Sequence, residues 1–211
     1  MAEINDTEIR IGEKAHQLFM QYGLRSVSMD DIAKDLGISK KTIYQFYEDK
    51  DALVDEVISK TFEHDQACCV RDKATSENAV HEIFLAIEFI VEMFKTMNPS
   101  VLYDLQKFHS LSFMRFVKHK DTFLYGMVYE NLKRGIKEEL YRPDINAEVL
   151  ARFRVEAMMM PFQPDFKSKL KENLAVIEEV ITLHYLFGLV TPKGYKLAIK
   201  YQEKRNKNNE K

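Results

Sequence analysis

Between Leu36 and Tyr47 the chain carries no acidic residue, and this stretch holds Lys40, Lys41, Thr42, Tyr44 and Gln45. All five are hydrogen-bonding types. Placed on one short helix capped by Ser39, they suit the edge of a nucleic-acid groove. A glutamine such as Gln45 can bind adenine through two hydrogen bonds, worth roughly 1–3 kcal/mol of base discrimination, and Lys40 or Lys41 can reach guanine or a phosphate. Ile43 and Tyr47 lie four positions apart and share the inward face of the same helix. Lys50 opens the next helix and Ser28 the previous one, and the free N–H groups of a helix start favour an anion.

Three short helices and a longer one must position these residues. Ile9, Ala15, Leu18, Phe19 and Tyr22 fall at helical spacing and predict a helix from Asp6 to Tyr22, stopped by Gly23. Ser28-Met29-Asp30-Asp31 reads as a capping-box variant opening a second helix. Asp30 and Asp31 suit the dipole of its first turn. Ile32, Ala33 and Leu36 form its buried stripe, and Gly37 ends it. The third helix then runs from Lys40 to Phe46. Asp49 caps a fourth, which carries Leu53, Val54, Val57, Ile58 and Phe62. Short helices joined by a Gly-centred turn form the helix-turn-helix pattern.

These residues resemble a known family. Ala15, Leu18-Phe19, Tyr22-Gly23, Ser28 to Ala33, Leu36 to Tyr44 and Lys50 to Leu53 are similar to the headpiece of tetracycline-repressor-type (TetR-family) regulators. The resemblance covers about a quarter of the chain and rests on the combined spacing. It implies a homodimer that sets two headpieces on an operator in double-stranded DNA, a ligand pocket in the body, and a four-helix dimer interface from the last two major body helices. It also implies that Ser28, Tyr44 and Lys50 hold phosphates while Lys40 to Gln45 read bases. The sequence departs from the family at the end of the recognition helix, where Phe46 precedes Tyr47. Phe46 cannot donate to a phosphate. Tyr47 is either buried with its hydroxyl at the rim or reaches DNA if the helix turns slightly.

The rest of the chain reads as a helical body. Its 211 residues include only seven Gly and five Pro, with no Pro before Pro99. β-Architectures need more turn residues than that. After Arg71 a helix capped by Ser76 reaches Met97, and others follow near 100–117, 120–139 and 146–160. One from Phe166 to Phe187 ends at Gly188, and a last one, opened by Pro192, runs from Lys193 to about Lys204. Residues 193–211 carry seven basic and two acidic groups, against an overall charge of −2. The global charge argues mildly against DNA, but a small regulator needs only a local positive footprint.

Met and Phe are abundant in the body. Most are core, and Met suits pockets for irregular apolar ligands. Met93, Phe94, Met97, Phe108, Tyr125, Tyr129, Met158 and Phe162 are the candidate ligand-contacting residues. On the helix ending at Gly188 the apolar face is wider than one core stripe and predicts a second packing partner. Val176, Val180, Ile181, His184 and Phe187, with Phe153 on the companion helix, are the candidate dimer residues.

Several functions are disfavoured. The longest nearly apolar stretch, Ile83 to Val91, is far short of the about 20 residues a membrane span needs. Met1 to Arg10 carries three acids and does not read as a signal peptide. Cys68 and Cys69 are neighbours, rarely bridge, and have only His64 nearby as a metal partner, so they read as inert thiols in a reducing compartment. No Gly-rich phosphate loop or nucleophile elbow is present. Glu138-Glu139 and Glu178-Glu179 point about 100° apart on their helices and form no acid/base couple. The expectation is a cytoplasmic, all-α, non-enzymatic transcription regulator without metal or cofactor. Residues 1–50 form a three-helix headpiece, 51–205 a ligand-binding and dimerisation body, and 206–211 a disordered tail. The expected mechanism is repression relieved when a small apolar or amphipathic effector changes headpiece spacing. The competing reading is a helical protein–protein adaptor that uses its helix-turn-helix without specific DNA binding.

Overall fold

The computed structural model describes residues 6–209. It is built of helices: α1 Asp6–Tyr22, α2 Met29–Leu36, α3 Lys40–Ile43, α4 Lys50–Thr75, α5 Ala79–Lys95, α6 Ser100–Phe108 and α7 Ser110–His119. One π-helical turn, Lys120–Leu124, leads into α8 Tyr125–Lys137. Then come α9 Ala147–Ala157, a 3-10 turn Met160–Phe162, α10 Pro164–Lys167, α11 Leu174–Leu189 and α12 Pro192–Asn209. The only β-type pairing among the described residues is an isolated bridge between Tyr141 and Val190. No helix of the described residues is long and apolar enough to cross a membrane.

The chain packs as two compact units. Among the described residues, the first contains 6–65 together with Thr96–Lys118, and the second contains Gln66–Lys95 and 119–209. α4 passes from one to the other. In the first unit Ile11, Ala15 and Phe19 of α1 meet Ile32 and Ala33 of α2, Ile43 of α3, and Leu53, Val54, Val57 and Ile58 of α4. Val101 and Leu105 of α6 complete the same core. The junction is tight at Gly23, whose φ of +88° only glycine adopts without strain. A Cβ there would stand 2.6 Å from Ser100 Oγ and 3.1 Å from an Asp104 carboxylate oxygen. Asp104 also accepts from the Arg25 amide, and Ser112 Oγ donates to Asp55. The headpiece core is therefore finished by helices lying some 80 residues away in sequence.

The second unit packs α11 against α5, α8 against α9, and α12 against α5. Its core includes Val80, Phe84, Ile87, Leu132, Tyr141, Ala151, Leu186 and Leu189. A polar network ties its helices together. Arg134 reaches Ser76 Oγ (2.6 Å), Glu82 (3.0 Å) and Glu138 (2.7 Å).

Several helix limits differ from the sequence expectation, each for a local reason. Asn78, not Ser76, caps α5 by accepting from the His81 amide, because Ser76 Oγ donates to the Lys73 carbonyl and receives Arg134. The helix expected from Phe166 begins at Leu174, where Asn173 accepts from the Val176 amide and restarts the chain. Residues 100–117 form two helices, broken at His109. The tail expected to be disordered from 206 stays helical to Asn209, held one turn earlier by Arg205 on the Glu179 carboxylate. Residues 210 and 211 lie outside the described residues.

Candidate nucleic-acid interface

The local sequence dictates the frame of the site. Ser28 accepts from the Asp31 amide, and Asp31 in turn accepts from the Ser28 amide at 2.8 Å and its hydroxyl at 2.6 Å. These bonds hold the Asp31 carboxyl below its ordinary range, the hydroxyl contributing most. α2 ends at Gly37, left-handed at φ +67°, so that the chain turns sharply into Ser39. Ser39 Oγ accepts from the Thr42 amide at 3.1 Å and opens α3.

α3 is shorter than expected. Past Ile43 the bonds tighten to the third residue back: Gln45 to Thr42 (3.3 Å) and Phe46 to Ile43 (3.0 Å). Tyr47 nevertheless keeps the four-residue bond to the Ile43 carbonyl (3.1 Å), so it points into the core beside Ile43 and leaves Phe46 half-buried. Tyr47 is therefore corrected from a DNA contact to a core residue. Burial pushes its hydroxyl up to about 12, and that hydroxyl has no hydrogen-bond partner among the described residues.

The other candidates divide between available and occupied. Lys41, Tyr44 and Gln45 are exposed, Tyr44 to 45%, and Thr42 is half-buried with its hydroxyl 2.8 Å from Ser39 Oγ. Lys40 is exposed, but its ammonium sits 2.7 Å from Asp30, a bond that raises its pKa. Lys50 turns inward and donates to the Leu24 carbonyl at 2.5 Å; burial lowers its pKa. A phosphate would have to draw it away from that carbonyl. Ser28 is exposed, with its hydroxyl and amide both committed to Asp31. From sequence alone Asp30 is only a dipole partner. The signal that its carboxylate meets the recognition helix is its ten-residue separation from Lys40 across the Gly37 turn.

The candidate ligand residues do not gather in one unit. Met97 and Phe108 belong to the first, where Phe108 lies under the Arg25 guanidinium. The other six lie in the second. There Phe94 meets Phe162 edge-on at 5.3 Å, and Tyr125 stacks on Tyr129 at 6.1 Å. Two clefts of about 330 and 250 Å³ run along α12, and neither is lined by any of the eight. Of the candidate dimer residues, Phe153 (57%), Val176, Val180 (61%) and His184 are exposed, while Ile181 and Phe187 are half-buried. Cys68 is buried and Cys69 half-buried, neither in a disulfide, and no group of three metal-ligating residues occurs among the described residues.

A capped helix, a left-handed glycine turn and an exposed Lys/Tyr/Gln segment on a packed headpiece define a helix-turn-helix DNA-binding regulator. Comparison with known proteins places it more narrowly. Residues 11–57 match the tetR family of bacterial regulatory proteins. YvaF, an uncharacterized helix-turn-helix transcriptional regulator of Bacillus subtilis, is 24% identical over 86% of this chain and 94% of its own. Helix-turn-helix regulators of Staphylococcus aureus are 45% identical over 51 residues, which span 24% of this chain and 28% of theirs. A TetR-family regulator from Agrobacterium tumefaciens shares the fold with a TM-score of 0.73 at 16% identity, over 87% of this chain and 97% of that one. A Saccharomonospora viridis regulator, solved with choline, gives 0.68 at 17%, over 88% and 98%. The headpiece is thus similar to that of tetR-family regulators, and the chain is a DNA-binding transcriptional regulator.

Proposed function

We propose that the protein is a cytoplasmic repressor that occupies an operator as a homodimer and leaves it when a small apolar or amphipathic molecule enters its helical body. The observation that carries DNA reading is the exposed Lys41–Tyr44–Gln45 segment beyond the Gly37 turn. Tyr44 and Lys41 hold the backbone, and Gln45 reads a base. Fluorescence anisotropy on duplex DNA from upstream of the protein's own coding region, compared with random DNA across salt concentrations, tests this. Tighter, salt-sensitive binding to the upstream duplex is expected, because each neutralised phosphate adds about 0.9 to the logarithmic salt slope. Tyr44→Ala should weaken binding to all DNA. Gln45→Ala should mainly relax sequence preference, by up to about 1–3 kcal/mol at one position. Equal effects of both changes on specific and random DNA would reject these roles.

The dimer rests on a row of apolar side chains facing outward. Val176 and Val180 lie one turn apart on α11, and Val149 and Phe153 one turn apart on α9, all exposed. Contiguous apolar surface of this kind marks an interaction face. Val180→Glu buries a charge in that interface and is expected to give a monomer by analytical ultracentrifugation, with operator affinity falling and the helical signal retained. A variant that sediments like the parent chain would remove this face from the dimer. The choline bound to the Saccharomonospora viridis relative supports a small-molecule effector for this one. Effector and operator are coupled by population shift. The effector favours a dimer whose recognition helices no longer match major grooves about 34–36 Å apart.

A further inference from the structure

We propose that Asp30 sets the sequence discrimination of the headpiece by holding Lys40 away from the DNA backbone unless a base or phosphate in register draws it out. The inference rests on the reading of Lys40 to Gln45 as the DNA reader. Three acids stand on α2, and each has its own partner. Asp31 is bound by the amide and hydroxyl of Ser28. Asp35 pairs with Lys14 at 2.7 Å. Asp30 pairs with Lys40, the first residue of the recognition helix, also at 2.7 Å. The pair is a contact across the turn, not along a helix. Asp30 therefore places a negative charge where the start of α3 would meet a phosphate.

The cations of the interface are correspondingly few. Lys50 is occupied by the Leu24 carbonyl. Lys41 makes no ion pair with a carboxylate among the described residues, and Lys40 is the only other lysine on α3. A lysine already neutralised by a carboxylate releases no counterion when it approaches DNA, and the carboxylate beside it repels the phosphates. Random DNA is thus bound by Lys41 with little help from Lys40. A duplex that offers Lys40 a guanine edge or a well-placed phosphate can break the pair, because an exposed ion pair is weak in water. The cost of opening falls on every sequence, and only some sequences recover it. Asp30 acts as a filter rather than a block.

The test uses the full chain and two duplexes: one recovered from a random-sequence pool by selection on the wild-type protein, and one scrambled to the same composition. Asp30→Asn keeps the size of the side chain and leaves the Ser28–Asp31 capping box in place, so its melting temperature should match the wild type. It is expected to tighten binding to the scrambled duplex by up to about fivefold, the upper end of what an exposed ion pair is worth. The selected duplex should gain less. The salt slope on scrambled DNA should steepen by about 0.9, for one more phosphate contact. With Lys40→Met in the background, Asp30→Asn should bring no gain on scrambled DNA, and Asp30→Glu in the otherwise native chain should restore discrimination. Equal tightening on both duplexes would overturn the proposal. So would the same gain in the Lys40→Met background, since the acid would then act by direct repulsion. Failure of the wild type to select any duplex would overturn the DNA-reading assignment itself, and this inference with it.

Discussion

Replacing Arg154 alone with Met is expected to cost about 3–5 kcal/mol of stability, whereas replacing Arg154 and Glu178 together with Met should be close to neutral. The two side chains are 3% and 1% exposed. Arg154 on α9 reaches the Thr182 hydroxyl at 2.6 Å and one Glu178 oxygen at 3.3 Å on α11, and it lies over the Tyr185 ring. Arg154 Nη1 and Glu178 Oε1 have no partner among the described residues, so the pair is incompletely satisfied. Desolvation of two ions is then poorly offset, which is why removing both is tolerated. Removing one leaves a charge in the core. Burial already raises the Glu178 carboxyl, and Arg154 is the main influence pulling it back down. Without Arg154 it rises further. Between the unfolded value near 4.5 and that raised folded value, the folded chain then holds a proton that the unfolded chain lacks. Stability consequently falls as pH rises through that window. Urea unfolding should show a small deficit for Arg154→Met near pH 4 that grows toward pH 8. A double variant as unstable as the single one would show that the pair itself, and not the avoidance of a lone charge, stabilises α9 against α11.

The parts of the headpiece visible in the sequence were those fixed by contacts a few residues apart. Ser28, Ser39 and Asp49 each accept an amide three positions on, and Gly37 turns the chain in place. Such caps depend on neighbours that a single reading can see. Misplaced boundaries arose where a distant group competed for the same atoms. Ser76 is a fair cap by type, but Arg134, 58 residues away, takes its hydroxyl. The contribution of α6 and α7 to the headpiece core was likewise invisible, since nothing local tells Val101 or Leu105 which unit they will fill. Within the site, residue types were legible but their commitments were not. Tyr47 takes the inward position that its spacing from Ile43 predicts, but that its hydroxyl would be buried rather than at the rim was not legible. Lys40 and Lys50 are both lysines, yet one is tied to a carboxylate and the other to a carbonyl. Those commitments are set by tertiary neighbours that residue type alone does not reveal.

Gly135→Ala is expected to lower the melting temperature even though alanine is the better helix former. Gly135 lies in α8, and the exchange alone should favour the helix by about 0.5–1 kcal/mol. The added Cβ, however, would stand 2.0–2.6 Å from three ring carbons of Tyr141. That ring has nowhere to go. It is 1% exposed, its hydroxyl lies 3.0 Å from both the Ala79 carbonyl and Asn131 Oδ1, and its amide donates to the Gly135 carbonyl itself. Overpacking typically costs about 1–3 kcal/mol and more when neighbours are rigid, so the clash outweighs propensity. A net loss of about 2 kcal/mol corresponds to a drop of roughly 4–8 °C for a chain of this length. In a Tyr141→Ala background the ring carbons are gone, and Gly135→Ala should become neutral or stabilising by up to about 1 kcal/mol. Thermal melts of the four proteins decide the matter. If Gly135→Ala destabilised both backgrounds equally, the glycine would be needed for something other than the close approach of the Tyr141 ring.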